Sequence, residues 1–191
     1  TILRTVEAER ITKMFCPPTV WIRLLRSPEF DQHDLSSLRK GYYGASAMPV
    51  EVLKKFEQRF DAKVLEGYGL SETSPTLTQV PFARTDKKHT VGCVAPNVAL
   101  RLVDPDTLQD IAGPGHPGEF WAKGPNVTSG YHGNAAATKG SFTADGWFRT
   151  GDVAVVDEDG AAGLKDRLEG VGDAVDEAAL AGVRGAGVVR V

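Results

Sequence analysis

The sequence predicts an α/β fold: a parallel-type α/β subdomain, then a small β-rich, barrel-like subdomain, then a short C-terminal remnant. Three observations carry this prediction. Between residues 38 and 69 an apolar strand, a glycine turn, a helix, a second strand and a second glycine turn follow one another, the rhythm of a parallel layer. After Pro81 the apolar runs become short. They are divided by Asp104-Pro105-Asp106, Gly113-Pro114-Gly115 and Asp157-Glu158-Asp159-Gly160, all turn chemistry suited to antiparallel strands. The final stretch is rich in Gly, Ala and Val and too short for a third core. The chain therefore divides at 1–80, 81–164 and 165–191.

Taken in order, the opening predicts a helix to about Arg10, then an apolar run from Ile11 to Phe15 that Pro17-Pro18 stops. Thr19 is placed to cap the next helix, where Val20, Ile22, Leu24 and Leu25 recur at helical spacing until Ser27-Pro28. Leu38 to Tyr43 reads as a strand entering the Gly44-Ala45-Ser46 turn. Pro49 sits at a helix start, and Val52, Leu53, Phe56 and Phe60 form an apolar stripe behind it. Lys63 to Glu66 is the following strand, ending at Gly67-Tyr68-Gly69. Farther on, Val91–Val94, Ala99–Val103, Gly118–Lys123 and Val153–Val156 read as short strands. Asn134 to Lys139 is long enough for a turn or two of helix. In the tail, Asp173–Ala181 reads as a helix and Gly187–Val191 as a strand.

Composition excludes several classes. The 191 residues carry 22 basic and 25 acidic side chains, a net charge of −3, with 41% hydrophobic content. Mixed charge at that hydrophobicity argues against disorder and against a generally basic nucleic-acid binder, and Lys87-Lys88-His89 is too short for a basic patch. Apolar runs fall far short of the roughly 20 residues of a membrane helix. Cys16 and Cys93 lie far apart and read as two buried thiols of a cytoplasmic protein. His33, His89, His116 and His132 share no ligand spacing. Asn126-Val127-Thr128 matches a glycosylation acceptor, a weak pattern without a secretory leader.

Three segments carry signals beyond folding: Tyr43-Gly44-Ala45-Ser46-Ala47-Met48-Pro49, Gly67-Tyr68-Gly69-Leu70-Ser71-Glu72-Thr73 and Asp145-Gly146-Trp147-Phe148-Arg149-Thr150-Gly151-Asp152. The first two fall at the carboxyl ends of strands, where ligands of parallel sheets collect. Glycine lets backbone approach a flat or anionic ligand. Tyr68 offers a ring face, Ser71 a hydroxyl for a phosphate oxygen, Glu72 a carboxylate for a hard metal ion, and Asp152 an anionic acceptor for two vicinal hydroxyls. Singly, each has a plain structural reading as turn, core or cap. Together and in this order they match a known pattern, and that resemblance tips the balance toward a site.

On these segments, together with the run from Gly113 to Asn134, the chain resembles the adenylate-forming superfamily of acyl-CoA synthetases, aryl-CoA ligases, luciferases and adenylation domains. Within it, YGASAMP and GLSET look most like fatty-acyl or related acyl-CoA ligases. The resemblance implies a reaction in which ATP activates a carboxylate to an acyl-adenylate that is passed to CoA, with Mg²⁺ assisting. It implies that Gly44, Ala45 and Ser46 border the adenine and acyl pocket, and that Gly67, Tyr68 and Gly69 lie against the adenine. Ser71 would hold phosphate and Glu72 the metal, both in catalytic positions. Asp152 would hold the ribose, and Arg167 would be the Arg of a later nucleotide-binding motif.

Departures from the family pattern are equally specific. The Ser/Thr/Gly-rich phosphate loop ending in Lys has no counterpart, Glu169 occupies a hinge position usually filled by Asp or Lys, and the C-terminal catalytic Lys is missing. The sequence therefore reads as the second half of a large N-terminal domain with a shortened tail. Self-association through strand edges is expected of such a chain. The alternative is a module that binds nucleotide or a partner without catalysis, or a degenerate fragment.

Overall fold

A computed structural model describes residues 1–46, 48–88 and 90–168 of the chain. The helix and strand expected within 173–191 lie outside the described residues. Two compact units are present, Thr1–Glu66 and a second beginning at Gly67.

In the first unit, helix α1 (Ile2–Ala8) is followed by strand β1 (Lys13–Phe15), helix α2 (Pro18–Leu25), strand β2 (Lys40–Tyr43), helix α3 (Val50–Phe60) and strand β3, which begins at Lys63 and runs to Tyr68. β1 and β3 flank β2 in parallel register, with Met14 opposite Gly41 and Tyr43 opposite Glu66. The helical stripe of α3 buries Leu53, Phe56 and Phe60. Phe56 stacks on Phe60 at 4.0 Å and meets the edge of Trp21 from α2 at 4.4 Å, while Phe30 packs edge-on against Phe60 at 4.6 Å. Gly41 is glycine for a packing reason, because a Cβ there would press on Val64 at 3.1 Å and on the Trp21 ring at 3.3 Å. The indole N–H of Trp21 donates to the Tyr42 carbonyl (3.1 Å), so the ring is fixed at its polar end as well.

In the second unit, Gly67 and Tyr68 at the end of β3 pair antiparallel with β4 (Thr78–Gln79), and β4 with β5 (Cys93–Val94). A separate antiparallel sheet follows in the order β6 (Ala99–Val103), β7 (Pro117–Lys123), β8 (Phe148–Val156), β9 (Ala162–Arg167). Helix α4 (Ala135–Ser141) lies between β7 and β8 in sequence, and the Asn134 side chain caps it by accepting from Ala137 N (2.9 Å). Val91, Phe120, Ala154 and Ala162 form the core, with Tyr68, Leu100 and Leu164 packed against it.

Several expectations need correcting. The β-rich part is an open four-stranded sheet, with no closed barrel among the described residues. Thr19 does not cap α2: the helix starts at Pro18, Pro17 occupies the cap position, and no side-chain cap bond forms. Strand β5 is only two residues long, since Gly92 at φ +85° breaks the run, and a Cβ there would fall 2.1 Å from the Gln79 backbone. Cys16 and Cys93 are free thiols, half-buried rather than buried, and desolvation pushes the Cys16 thiol up.

Candidate functional site

The turn at Gly44, Ala45 and Ser46 belongs to the first unit. Gly44 is buried, and Ala45 is exposed with φ +69°, a left-handed conformation unusual for a residue with a Cβ. At the carboxyl ends of β2 and β3, the Tyr43 hydroxyl donates to Glu66 Oε2 at 2.9 Å. Burial raises the Glu66 carboxyl to about 7, against the opposing pull of that hydrogen bond. Burial also drives the Tyr43 phenol far above its ordinary value, helped by the neighbouring Glu66 and Glu57 charges.

The second unit brings together most of the residues singled out in the sequence. Gly67 and Tyr68 end β3, and Gly69 follows. Gly69 admits no other residue, since a Cβ would lie 1.7 Å from the Pro75 carbonyl oxygen. The segment then turns through a short 3-10 helix, Ser71–Thr73. Ser71 is exposed, whereas the fully buried Thr73 locks the turn. Its hydroxyl accepts from Leu70 N and donates to Leu70 O, each at 2.9 Å. Asn126, from the acceptor-like triplet, donates its side-chain amide to Thr73 O (2.8 Å) and Thr76 O (2.9 Å), which ties it into the fold of this loop. Glu72 is held from both ends. Its carbonyl accepts from Thr128 N (2.7 Å), and its Oε1 accepts from the Tyr131 hydroxyl (3.0 Å).

Asp152 is 9% exposed and sits across from Tyr68, whose hydroxyl donates to Asp152 Oδ2 at 2.6 Å. Its placement comes from an interruption in the sheet. β7 and β8 pair regularly on either side, but between the pairs Trp121↔Arg149 and Glu119↔Val153 a single residue, Phe120, faces Thr150, Gly151 and Asp152. Side chains replace the missing ladder. Thr150 donates to Phe120 O (2.8 Å) and accepts from Asp152 N (3.1 Å), while Glu119 Oε1 accepts from Gly151 N (3.0 Å). Gly151 takes φ +74°, a conformation that suits glycine. Arg167, at the end of β9, pairs with Asp152 in backbone register.

Glu119, Thr150, Tyr131 and Asn126 lie in stretches singled out in the sequence, yet were not among its candidate site residues. Glu119 sits beside Phe120, Trp121 and Ala122 in β7, and the sequence alone does not say whether it is buried with them. Burial of a carboxylate is the informative sign, and only the folded chain shows it.

Mg²⁺ can be tested against the donors present. Among the described residues no group of three His, Cys, Asp or Glu side chains converges on a metal position. Glu72 offers one half-buried carboxylate, and a neighbouring hydroxyl orients it. One carboxylate fits Mg²⁺, which keeps waters and takes its other oxygens from substrate phosphates.

With a parallel layer ending in glycine turns and a tyrosine paired with a buried aspartate, the chain has the features of an adenylate-forming protein. A family model described as AMP-binding enzyme matches residues 1–132. The long-chain-fatty-acid–CoA ligase of Thermus thermophilus is 37% identical over 178 residues, covering 88% of this chain and 33% of the relative. The 4-coumarate–CoA ligase-like 6 of Oryza sativa is 38% identical over 168 residues, covering 87% of this chain and 28% of the relative. Among solved structures, the amide bond synthetase McbA of Marinactinospora thermotolerans superposes with a TM-score of 0.76 at 32% identity, covering 87% of this chain and 34% of that one. The chain belongs to the AMP-binding enzyme family. It spans about a third of the length of the curated relatives it matches.

Proposed function

We propose that the chain supplies the ribose- and phosphate-facing part of an AMP-forming acid–thiol ligase acting on a fatty or related carboxylate. In the first step a carboxylate oxygen bonds to the α-phosphorus of ATP, and the bond to the β-phosphate oxygen breaks, releasing pyrophosphate. In the second the CoA thiolate attacks the acyl carbon and AMP leaves. The fatty-acyl preference rests on the relative from Thermus thermophilus. The observation that carries the proposal is the Tyr68–Asp152 pair: a ring face beside a buried anionic acceptor suits an adenine joined to a ribose diol.

In this reading Gly44, Ala45 and Ser46 border the acyl and adenine pocket, Gly67, Tyr68 and Gly69 face the base, and Ser71 hydrogen-bonds phosphate. Asp152 grips the ribose hydroxyls, and Arg167 adds a cation to the nucleotide site. When bound, Mg²⁺ would be held by Glu72 and would neutralise developing phosphate charge. The chain's own part is positioning, which converts encounters between bound reactants into near-unimolecular steps. Residues 1–80 serve the acyl and adenine side and 81–164 the ribose side. Two free thiols suit a reducing cytoplasm. The outer edge of β1, where Phe15 is 59% exposed, is the proposed route to self-association, which light scattering over a concentration series tests.

Calorimetric binding of AMP tests the central claim. Asp152→Ala should weaken it by about 1.5–3 kcal/mol, the scale of hydrogen bonds to a charged acceptor. Equal affinities in two folded proteins would remove Asp152 from the site. Carboxylate-dependent exchange of pyrophosphate into ATP, run on the same protein, separates a catalytic chain from one that only binds.

A further inference from the structure

Glu119 is fully buried, with 0% exposure, inside an otherwise apolar stretch of β7. A carboxylate in that position is costly unless several donors meet it. Here they do. Oε2 accepts from the Trp121 indole N–H (2.7 Å) and from Arg149 Nη2 (3.2 Å), and Oε1 accepts from Gly151 N (3.0 Å). Trp121 and Arg149 are themselves a register pair, and the Arg149 guanidinium lies 5.6 Å from the Trp121 ring centre. Glu119 and Val153 are the first regular pair on the other side of the interruption. One side chain therefore spans the irregular segment, anchored at one end and holding the backbone immediately before Asp152. Beyond Asp152 the next strand is irregular too, because the β8–β9 register shifts between Val153 and Ala154. Asp152 keeps its partner Arg167 on β9, just before that second break, but has none on β7. On the β7 side its backbone is held by side-chain ties in place of sheet pairing.

We propose that Glu119 is a positioning residue. Its buried carboxylate fixes Gly151 and so aims Asp152 at the Tyr68 hydroxyl and at the ribose of a bound adenine nucleotide. The ribose part rests on the function proposed above; the aiming of Asp152 at Tyr68 does not. Glutamine at 119 cannot replace the group, since its amide NH₂ would face donors on one side or the other. Thr150 supplies a second, separate tie through its hydroxyl.

The test uses the full chain, with Glu119→Gln, Thr150→Val and Asp152→Ala beside wild type. AMP and 2′-deoxy-AMP affinities are measured by calorimetry, and the Tyr68 ring signals are recorded by carbon NMR without ligand. In Glu119→Gln the preference for AMP over its 2′-deoxy analogue should fall about tenfold, and the Tyr68 signal should move toward its position in Asp152→Ala. A residue that only supports the fold would lower the melting temperature and leave both the preference and the signal alone, and that result overturns the proposal. If wild type shows no ribose preference, the nucleotide reading fails, and the Tyr68 signal still decides whether Glu119 aims Asp152. Should Glu119→Gln not fold, Thr150→Val decides: a moved Tyr68 signal supports side-chain aiming of Asp152, and an unmoved one overturns it.

Discussion

The two units are held by different means. In the first, Trp21, Phe30, Phe56 and Phe60 interlock ring against ring, and shape and apolar area supply the stability. In the second, the segment around Asp152 is held by a buried carboxylate, a buried hydroxyl and backbone N–H groups that sheet pairing leaves over. Apolar packing tolerates small displacements, because dispersion is spread over many contacts. A buried polar tie is more exacting: a partner is in place or a desolvated group is stranded. A core thus makes a unit stable, and the ties give one side chain a fixed direction.

Substitutions can break or sharpen that contrast. The largest effect is expected from Phe56→Ala, which removes a fully buried ring that touches two others and should cost about 3–5 kcal/mol in chemical denaturation. A loss below 1 kcal/mol would mean that the aromatic cluster is not what holds the first unit. Thr150→Val keeps the shape and removes the hydroxyl between Phe120 O and Asp152 N, for an expected loss of about 1–3 kcal/mol.

Glu66 offers a pH-dependent probe within the first unit. Folded, it keeps its proton to about pH 7, whereas its ordinary value is 4.5. Between those values the folded state binds more protons than the unfolded one. The contribution is therefore fully present below pH 4.5 and is lost as pH rises through 7. Melting curves of wild type and Glu66→Gln should diverge progressively over that window, the difference levelling off above it; parallel curves would contradict the raised value. The smallest change is Ala45→Gly. Relief of the left-handed conformation, about 1–2 kcal/mol, is partly offset by the flexibility glycine adds to the unfolded chain, leaving a gain of about 0.5 kcal/mol.

Much of this was legible in the sequence, for physical reasons that differ by element. The α3 stripe and the two glycine turns were visible because helical spacing and turn chemistry are local. Strand β4 escaped notice because two residues carry no alternation. Strand β9 escaped because Gly163, Lys165 and Asp166 give little apolar pattern and its register shifts. Thr19 misled because a capping residue was present, while the two prolines before it had already set the helix start. Candidate site residues were singled out through their order along the chain. Their supports, Glu119 and Thr150, lie on different strands about thirty residues apart and are joined only by the register of β7 and β8.

That register has a consequence for how the chain finds its fold. A uniform antiparallel ladder is nearly degenerate: sliding one strand by two residues keeps every side chain on its own face and sacrifices only the end pairs. The one-against-three interruption between β7 and β8 removes the degeneracy. Any slide would set Glu119 against a residue other than the one whose N–H it needs, and leave a charged group stranded in the dry interior. The interruption therefore acts as an index mark, and the two strands have a single alignment in which to settle.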